Sequence, residues 1–510
     1  MHPSALDAHD LDAHLRRAAA AQTSGRVADA IAHYRAALRL KPDHPGIPLV
    51  LGMLNAQARR FDEALPLLEQ ACRTDPQRPE AWMALGTVLG GTGRAGEAAD
   101  AFRQVLRLQP GNASALVNLG GALRRTGQHE AAVDAYRQAL AAQPRLAAAH
   151  FGLGITLAAQ EHLDQAEAAF RSASALQPDH LPTLNNLADA VLRQGRADEA
   201  LECFEAIRRK DPAFPRIDYQ LGTALQAMRR HTESAAAFRR ALAKDASDLD
   251  ALNNLCIALL RGGEPAAALS ASEEYLRQSP ANRKPLAYKA AALVELGRRD
   301  EAAQLLDFER LLLHHRPAAA ADGQTPADFR TRLAERLRSH PGLRFEPAGK
   351  STVGGHQTGE LLEPADPLMA RLGEVIRDGV EAYMQHLRTQ LPGHPYTASL
   401  PRAWKLGTWA VVLHSQGHQG PHFHPDGYIS GVYYISLPAD MGRDGADAGA
   451  IEFGRTDSEF GSTQPPMVKT VTPEEGLMLL FPSYLVHEVF PYLGTRPRVV
   501  VAFNAWLGKA

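Results

Sequence analysis

The feature that most restricts how this chain can fold is a 34-residue period through its N-terminal three fifths. Blocks begin at residues 11, 45, 79, 113, 147, 181, 215, 249 and 283. Position eight of each block is small: Ala18, Gly52, Gly86, Gly120, Gly154, Ala188, Gly222, Cys256, Ala290. Position twenty is Ala30, Ala64, Ala98, Ala132, Ala166, Ala200, Ser234, Ala268, Ala302. Position 24 is mostly large, as in Tyr34, Leu68, Phe102, Tyr136, Phe170, Phe204 and Phe238, and position 32 is mostly proline, from Pro42 to Pro280. Two antiparallel helices approach closely only where both carry small side chains, which accounts for columns eight and twenty. The large residue at 24 is then expected to fill the gap against the neighbouring repeat. Gly25, Gly93, Gly127, Gly195, Gly263 and Gly297 fall at the intervening turn, where a glycine just past the helix end terminates it. Proline cannot continue a helix and resets the chain for the next block. Such units bury their apolar faces only by stacking on one another.

These columns resemble the tetratricopeptide repeat family, in nine copies without insertion over residues 11–316. The resemblance implies an all-α superhelical solenoid whose first helices line a groove for a protein or peptide. Position six carries Asn118, Asn186 and Asn254, with Gln220 between the last two. An asparagine side chain offers both a donor and an acceptor, which matches a peptide backbone whatever its side chains. A comparable ladder occurs in the repeat domain of the O-GlcNAc transferases. Exposed polar residues on a helix face give the same pattern, so the ladder is an expectation to test. Trp82, at position four, is expected to pack between helices.

The remaining composition excludes several classes. A chain of 510 residues has material for more than one domain, and its net charge of −2 gives no reason to expect a nucleic-acid or acidic-membrane partner. Cys72, Cys203 and Cys256 are too few and too scattered for a disulfide framework or a CxxC zinc site. The first residues lack a basic start followed by an apolar stretch. No apolar run approaches the roughly 18 residues of a membrane span. A cytoplasmic protein is expected, without nucleic acid or membrane as partner.

The periodicity changes after residue 316. Residues 318–324 read as a joint, followed by helices near 327–339 and from Pro367 to Arg388. Short apolar runs then follow at Thr408–Leu413, Ile429–Leu437, Ala450–Phe453, Met467–Val471, Gly476–Phe481 and Arg498–Trp506, punctuated by glycine and proline as in a barrel or sandwich. Helices first and strands after point to a double-stranded β-helix (jelly-roll) domain with supporting helices over residues 317–510.

His422, Phe423, His424, Pro425 and Asp426 precede the run Ser430-Gly431-Val432-Tyr433-Tyr434, and His487 follows some sixty residues later. On a strand, residues i and i+2 point the same way, so His422 and His424 can converge on one ion, as can His424 and Asp426. His487 would complete a facial set that leaves positions open for a chelating co-substrate and dioxygen, the logic of the 2-His-1-carboxylate Fe(II) site. Arg498 opens the last strand, where a guanidinium can pair bidentately with the distal carboxylate of 2-oxoglutarate. Arg496 ranks second because Pro497 separates it from the strand. His414 and His418 read as loop or strand-surface residues, and Glu452 as a strand-surface carboxylate.

This order of parts resembles the 2-oxoglutarate/Fe(II) oxygenases, in particular bacterial and phage members joined to tetratricopeptide repeats, over about residues 305–507. The resemblance implies Fe(II) as metal and 2-oxoglutarate as co-substrate, held by His422, His487 and Arg498. It also implies a cavity-facing Tyr433 that hydrogen-bonds the co-substrate. No catalytic residue beyond the metal ligands is implied. The family's commonest pattern is His-x-Asp, whereas His424 stands at the third position here. Either three histidines bind, or His424 and Asp426 supply the pair. Pro425-Asp426-Gly427 reads as a turn leaving the strand, which favours His422 and His424. The expected activity is hydroxylation of a protein or peptide presented by the repeats. A non-catalytic scaffold with a silent or metal-sensing barrel, and a cupin-like domain using another metal, are the alternatives.

Overall fold

The computed structural model describes residues 5–318, 325–347, 350–362, 366–401, 403–441, 445, 447–456 and 460–507. Most of the expected joint, residues 319–324, lies outside them. Helices follow one another from α1 (Ala5–Thr23) to α18 (Arg299–Leu305), packed as consecutive antiparallel pairs. By contacts the chain divides into two compact units, Met1–Ile217 and Asp218–Ala510. The last helical pairs therefore belong to the same unit as the strands.

The turn inside each 34-residue block has one conformation throughout. All nine residues at position fifteen have positive φ: Gly25, Gly93, Gly127, Gly195, Gly263 and Gly297, but also Arg59 (58°), Glu161 (61°) and Arg229 (57°). The packing of helix on helix imposes a left-handed turn, and three blocks meet it with a side chain that disfavours it. The large residue at position 24 closes chiefly on its own repeat rather than only on the neighbour. A Cβ on Gly86 would lie 2.6 Å from the Phe102 ring, and one on Gly154 2.6 Å from Phe170. Tyr136 does both, lying against Gly120 in its own block and Gly152 in the next. Trp82 is half-buried beside its helix start, its indole N–H donating to the Pro76 carbonyl at 2.9 Å.

In the second unit one apolar core runs from Ala235 through the last helices into the strands, ending at Ala505. After α19 (Phe308–Leu311) and β1 (Leu313–His315) come α20 (Pro326–Arg338), β2 (Arg344–Phe345), β3 (Thr352–Gln357) and α21 (Pro367–Gln390). Both helices bury an apolar face, α21 through Met369, Leu372, Ile376, Val380, Tyr383 and Leu387 at three- and four-residue steps. The remaining strands are β4 (Trp404–His422), β5 (Ile429–Ser436), β6 (Ile451–Phe453), β7 (Lys469–Val471), β8 (Met478–Pro482), β9 (His487–Val489) and β10 (Arg498–Leu507).

They form a curled antiparallel sheet in the order β1-β8-β5-β10-β4-β9-β6-β7, with β3 attached to β4 and β2 to β3, which is a jelly-roll-like arrangement. The apolar run expected at Thr408–Leu413 is only the first part of β4. That strand pairs with β10 over Trp404–Leu413, bends near Gln416 (φ 65°), and reaches β9 at its far end. The turn conformation yields a test on melting of the whole chain. Arg59→Gly removes a left-handed side chain and is expected to stabilise the first unit by about 1 kcal/mol. Gly86→Ala, whose new methyl meets the Phe102 ring, is expected to destabilise it by about 1–3 kcal/mol.

Candidate metal centre

The second half of β4 and the short strand β9 meet through His422, whose register partner is His487. β4 ends at His422, so His424 lies just beyond the strand rather than on it. Its place is set by the backbone: His424 N–H donates to the Ser483 carbonyl at 3.0 Å, and Gly427 N–H closes the turn onto the His424 carbonyl at 3.1 Å. A side chain at Gly427 would run into Ser483 Oγ at 2.6 Å, so this turn fits only glycine. Ser483 is held in turn by Ser430 Oγ at 2.8 Å, which also bonds Asn504 Oδ1 at 2.7 Å, tying the turn to β5 and β10.

One nitrogen from each of His422, His424 and His487 falls within 4.8 Å of the others. The rings lie 4.4 Å (His422–His487), 5.2 Å (His422–His424) and 5.2 Å (His424–His487) apart between centroids. His422 Nδ1 bonds the Gly420 carbonyl at 2.8 Å, and His487 Nδ1 bonds the Leu485 carbonyl at 3.0 Å. A carbonyl only accepts, so both Nδ1 atoms carry the proton and both Nε2 atoms keep a lone pair. Ser351 Oγ lies 3.4 Å from His422 Nε2 and can donate to it. Burial holds all three imidazoles below their ordinary pKa. His424 falls to about 3, with His422 and Lys350 adding repulsion, and His487 is pushed well down by burial and by the other two rings. Neutral, converging imidazoles are the form in which histidine binds a divalent metal, so the donor set fits such an ion.

The three histidines line a cavity of about 500 Å³ together with Arg498, Trp409, Trp506, Glu360 and Asn504. Arg498 is 2% exposed. Its Nη1 donates to the Gly449 carbonyl at 2.7 Å, its backbone N–H to Tyr492 Oη at 2.9 Å, and its guanidinium lies 5.3 Å from the Tyr434 ring centre. Among the described residues no carboxylate pairs with it, and Arg498 Nε and Tyr434 Oη are both buried without a hydrogen-bond partner. A buried cation left unpaired is costly by several kcal/mol, so this arrangement is built to receive an anion. Burial lowers the Arg498 pKa, while a guanidinium starts high enough to remain charged.

Asp426, Tyr433 and Glu452 stand outside the histidine cluster. Asp426 is 85% exposed and faces Lys284 Nζ at 3.8 Å, away from the clustered nitrogens. A turn at Pro425–Asp426 carries its carboxylate outward. Tyr433 faces the supporting helices, beside Arg330 and in a small space with Phe329 and Val375, so the expected cavity-facing role does not hold for it. Successive strand residues alternate, so Tyr434 is on the same face as Ser430 and Val432, which line the cavity, and its ring lies against the Arg498 guanidinium. Glu452 is buried and bonds Arg455 Nε at 2.7 Å, so it is an ion-paired strand residue. His414, exposed on β4, pairs with His356 Nδ1 at 3.1 Å, and Arg496 lies outside the cavity.

In the repeats, Asn118 and Asn186 belong to the first unit and Asn254 to the second. Asn118 Nδ2 reaches Met83 Sδ at 3.6 Å, Asn186 Nδ2 donates to the Pro182 carbonyl at 2.8 Å, and Asn254 Nδ2 to Tyr219 Oη at 3.2 Å. No described helix is long and apolar enough to cross a membrane.

The lowered histidine pKa values set a pH dependence. In the unfolded metal-free chain these histidines take up protons near pH 6.5, whereas the folded site resists until about pH 3 for His424. Their contribution is therefore intact above pH 6.5 and lost progressively as pH falls towards 3. Thermal melts of metal-free protein should show the midpoint of the second unit dropping across that window, and less so in His424→Gln.

Residues 407–504 match the family described as "Putative 2OG-Fe(II) oxygenase". Tetratricopeptide repeat families match residues 4–45, 49–113, 83–147, 117–180 and 219–283, then 157–228 and 285–307. A comparison with curated proteins finds no match. Among solved structures, a tetratricopeptide repeat protein from Parabacteroides merdae is 15% identical, with 49% of this chain and 99% of that chain covered and a TM-score of 0.41. YrrB, described as having an unusual peptide-binding site, is 21% identical over 38% of this chain and 97% of its own, with a TM-score of 0.32. TTC0263 from Thermus thermophilus is 27% identical over 36% and 100%, with a TM-score of 0.30. The chain is thus a tetratricopeptide repeat protein fused to a C-terminal domain of that 2OG-Fe(II) oxygenase family.

Proposed function

We propose that the protein is a 2-oxoglutarate- and Fe(II)-dependent dioxygenase that hydroxylates a protein or peptide recruited by its repeats, with a nine-repeat array over 11–316 and the oxygenase domain over 317–510. The observation that carries this reading is one cavity holding three converging neutral imidazoles and a buried guanidinium without an acid partner. His422, His424 and His487 would hold the metal through nitrogen. Arg498 would bind the distal carboxylate of 2-oxoglutarate, with Tyr434 Oη donating to the same anion; Tyr433 has no part in it. When bound, Fe(II) and 2-oxoglutarate supply an oxidation in which O₂ gives one oxygen atom to a substrate C–H bond and the other to succinate, with loss of CO₂.

The chain's own contribution is positioning. The carbonyls of Gly420 and Leu485 fix the tautomers of two histidines, and the buried anion site orients the co-substrate before reaction. The aromatic walls at Trp409 and Trp506 limit water around the reacting atoms. Asn118, Asn186 and Asn254 would grip the substrate backbone. The three free cysteines fit the reducing, cytoplasmic setting proposed here.

Succinate formation from 2-oxoglutarate and O₂ tests the reading. Wild-type protein with Fe(II) should form succinate, His487→Ala should form none, and Arg498→Gln should raise the 2-oxoglutarate KM about 30-fold or more, as for a lost buried charge pair. Equal turnover in all three proteins would refute it. Asn118→Ala, Asn186→Ala and Asn254→Ala combined should weaken capture of the substrate protein while leaving metal binding unchanged. Unchanged capture would remove the ladder from the account.

A further inference from the structure

The three histidines are not oriented alike. His422 and His487 are each fixed by an Nδ1 hydrogen bond, whereas the His424 ring makes none among the described residues. Its aim depends on its backbone and on packing. Trp409 is the ring beside it, 5.9 Å away between centroids, while Phe423, its neighbour in sequence, anchors the backbone that carries it. The Phe423 ring meets the Tyr288 ring edge-on at 6.3 Å and the Phe460 ring at 6.2 Å, while Tyr288 and Phe460 meet edge-on at 5.5 Å. The three rings close a triangle, the geometry that aromatic pairs favour.

Tyr288 lies on α17 (Lys284–Glu295), first helix of the ninth block, and is 1% exposed. Its hydroxyl donates to Asn253 Oδ1 at 2.7 Å on α15 (Leu249–Arg261), first helix of the eighth. The Phe460 segment is tied to α17 as well. The Glu295 carboxylate accepts from the backbone N–H groups of Thr463 (2.9 Å) and Gln464 (3.1 Å) and from the hydroxyls of Ser462 and Thr463. Arg299 Nη1 donates to the Pro465 carbonyl at 2.9 Å. Two sides of the triangle are thus anchored on repeat helices, and the third is the loop between two candidate ligands.

We propose that Tyr288 is a positioning residue for the histidine site, acting through Phe423 and the backbone that follows it to aim His424. The proposal rests on the metal reading above. It makes the last repeats part of the oxygenase machinery rather than a detachable arm, in keeping with their shared core and their place in one compact unit.

Co(II) titration of the full chain, followed by visible absorption, tests this without turnover. Tyr288→Leu should weaken Co(II) binding about tenfold and alter the absorption bands, the usual effect of losing an orienting partner of a metal ligand. Tyr288→Phe keeps the ring and should restore the wild-type bands. Phe423→Leu should reproduce the Tyr288→Leu spectrum, and the double variant should add little to either. A Tyr288→Leu protein that melts lower but binds Co(II) with wild-type affinity and bands overturns the proposal. If Tyr288→Leu does not fold, Phe423→Leu decides it, and unchanged bands there overturn it equally. Wild-type protein that binds no Co(II) overturns the metal reading and this inference together.

Discussion

The pairing of β4 with β9 is the contact on which the site depends. It sets His422 opposite His487, residues 65 positions apart in sequence. β4 can make that contact because it is one strand of 19 residues that bends midway. Its first half pairs with β10, while β3 runs beside it from Val411 to Gln419 and β9 joins at its far end. The turn after it, held by Ser483, then returns His424 to the same space. Sheet curvature therefore brings the three histidines together at one cavity.

The electrostatics of that cavity are incomplete in a specific way. It contains a buried guanidinium and three imidazoles kept neutral by burial, and among the described residues no carboxylate pairs with Arg498 or joins the histidine cluster. Asp426, which would have supplied a negative charge to the ion, points outward to Lys284. An ion held by three neutral ligands keeps its full positive charge for an anionic co-substrate, and Arg498 adds to that attraction. A dicarboxylate would offset two of the three positive charges that a divalent metal and Arg498 together place there, which would couple the binding of metal and co-substrate.

What was legible in the sequence follows from how local each signal is. The 34-residue columns reported helix pairs because small-on-large packing recurs within each block, as Gly86 under Phe102 shows. The glycines at position fifteen showed the turn, although Arg59, Glu161 and Arg229 adopt it without that signal. That His422, His424, His487 and Arg498 meet at one cavity was readable from residue type and order. Tyr433 was misplaced because β5 is buried on both faces, so no polar–apolar alternation marks which side meets the cavity. β9 is three residues long and the second half of β4 is rich in Gly, His and Gln, so neither shows a strand pattern. The triangle of Tyr288, Phe423 and Phe460 joins three distant segments and has no local signature at all.

The central claim is an ion held by three imidazoles and no protein carboxylate. X-ray absorption at the iron edge of anaerobic Fe(II)-loaded protein, with and without Asp426→Ala, tests it most directly. The account predicts scattering from three imidazole rings, unchanged by that substitution and reduced to two rings in His424→Ala. A shell with only two imidazoles in the wild type, or one that loses an oxygen neighbour in Asp426→Ala, would contradict it.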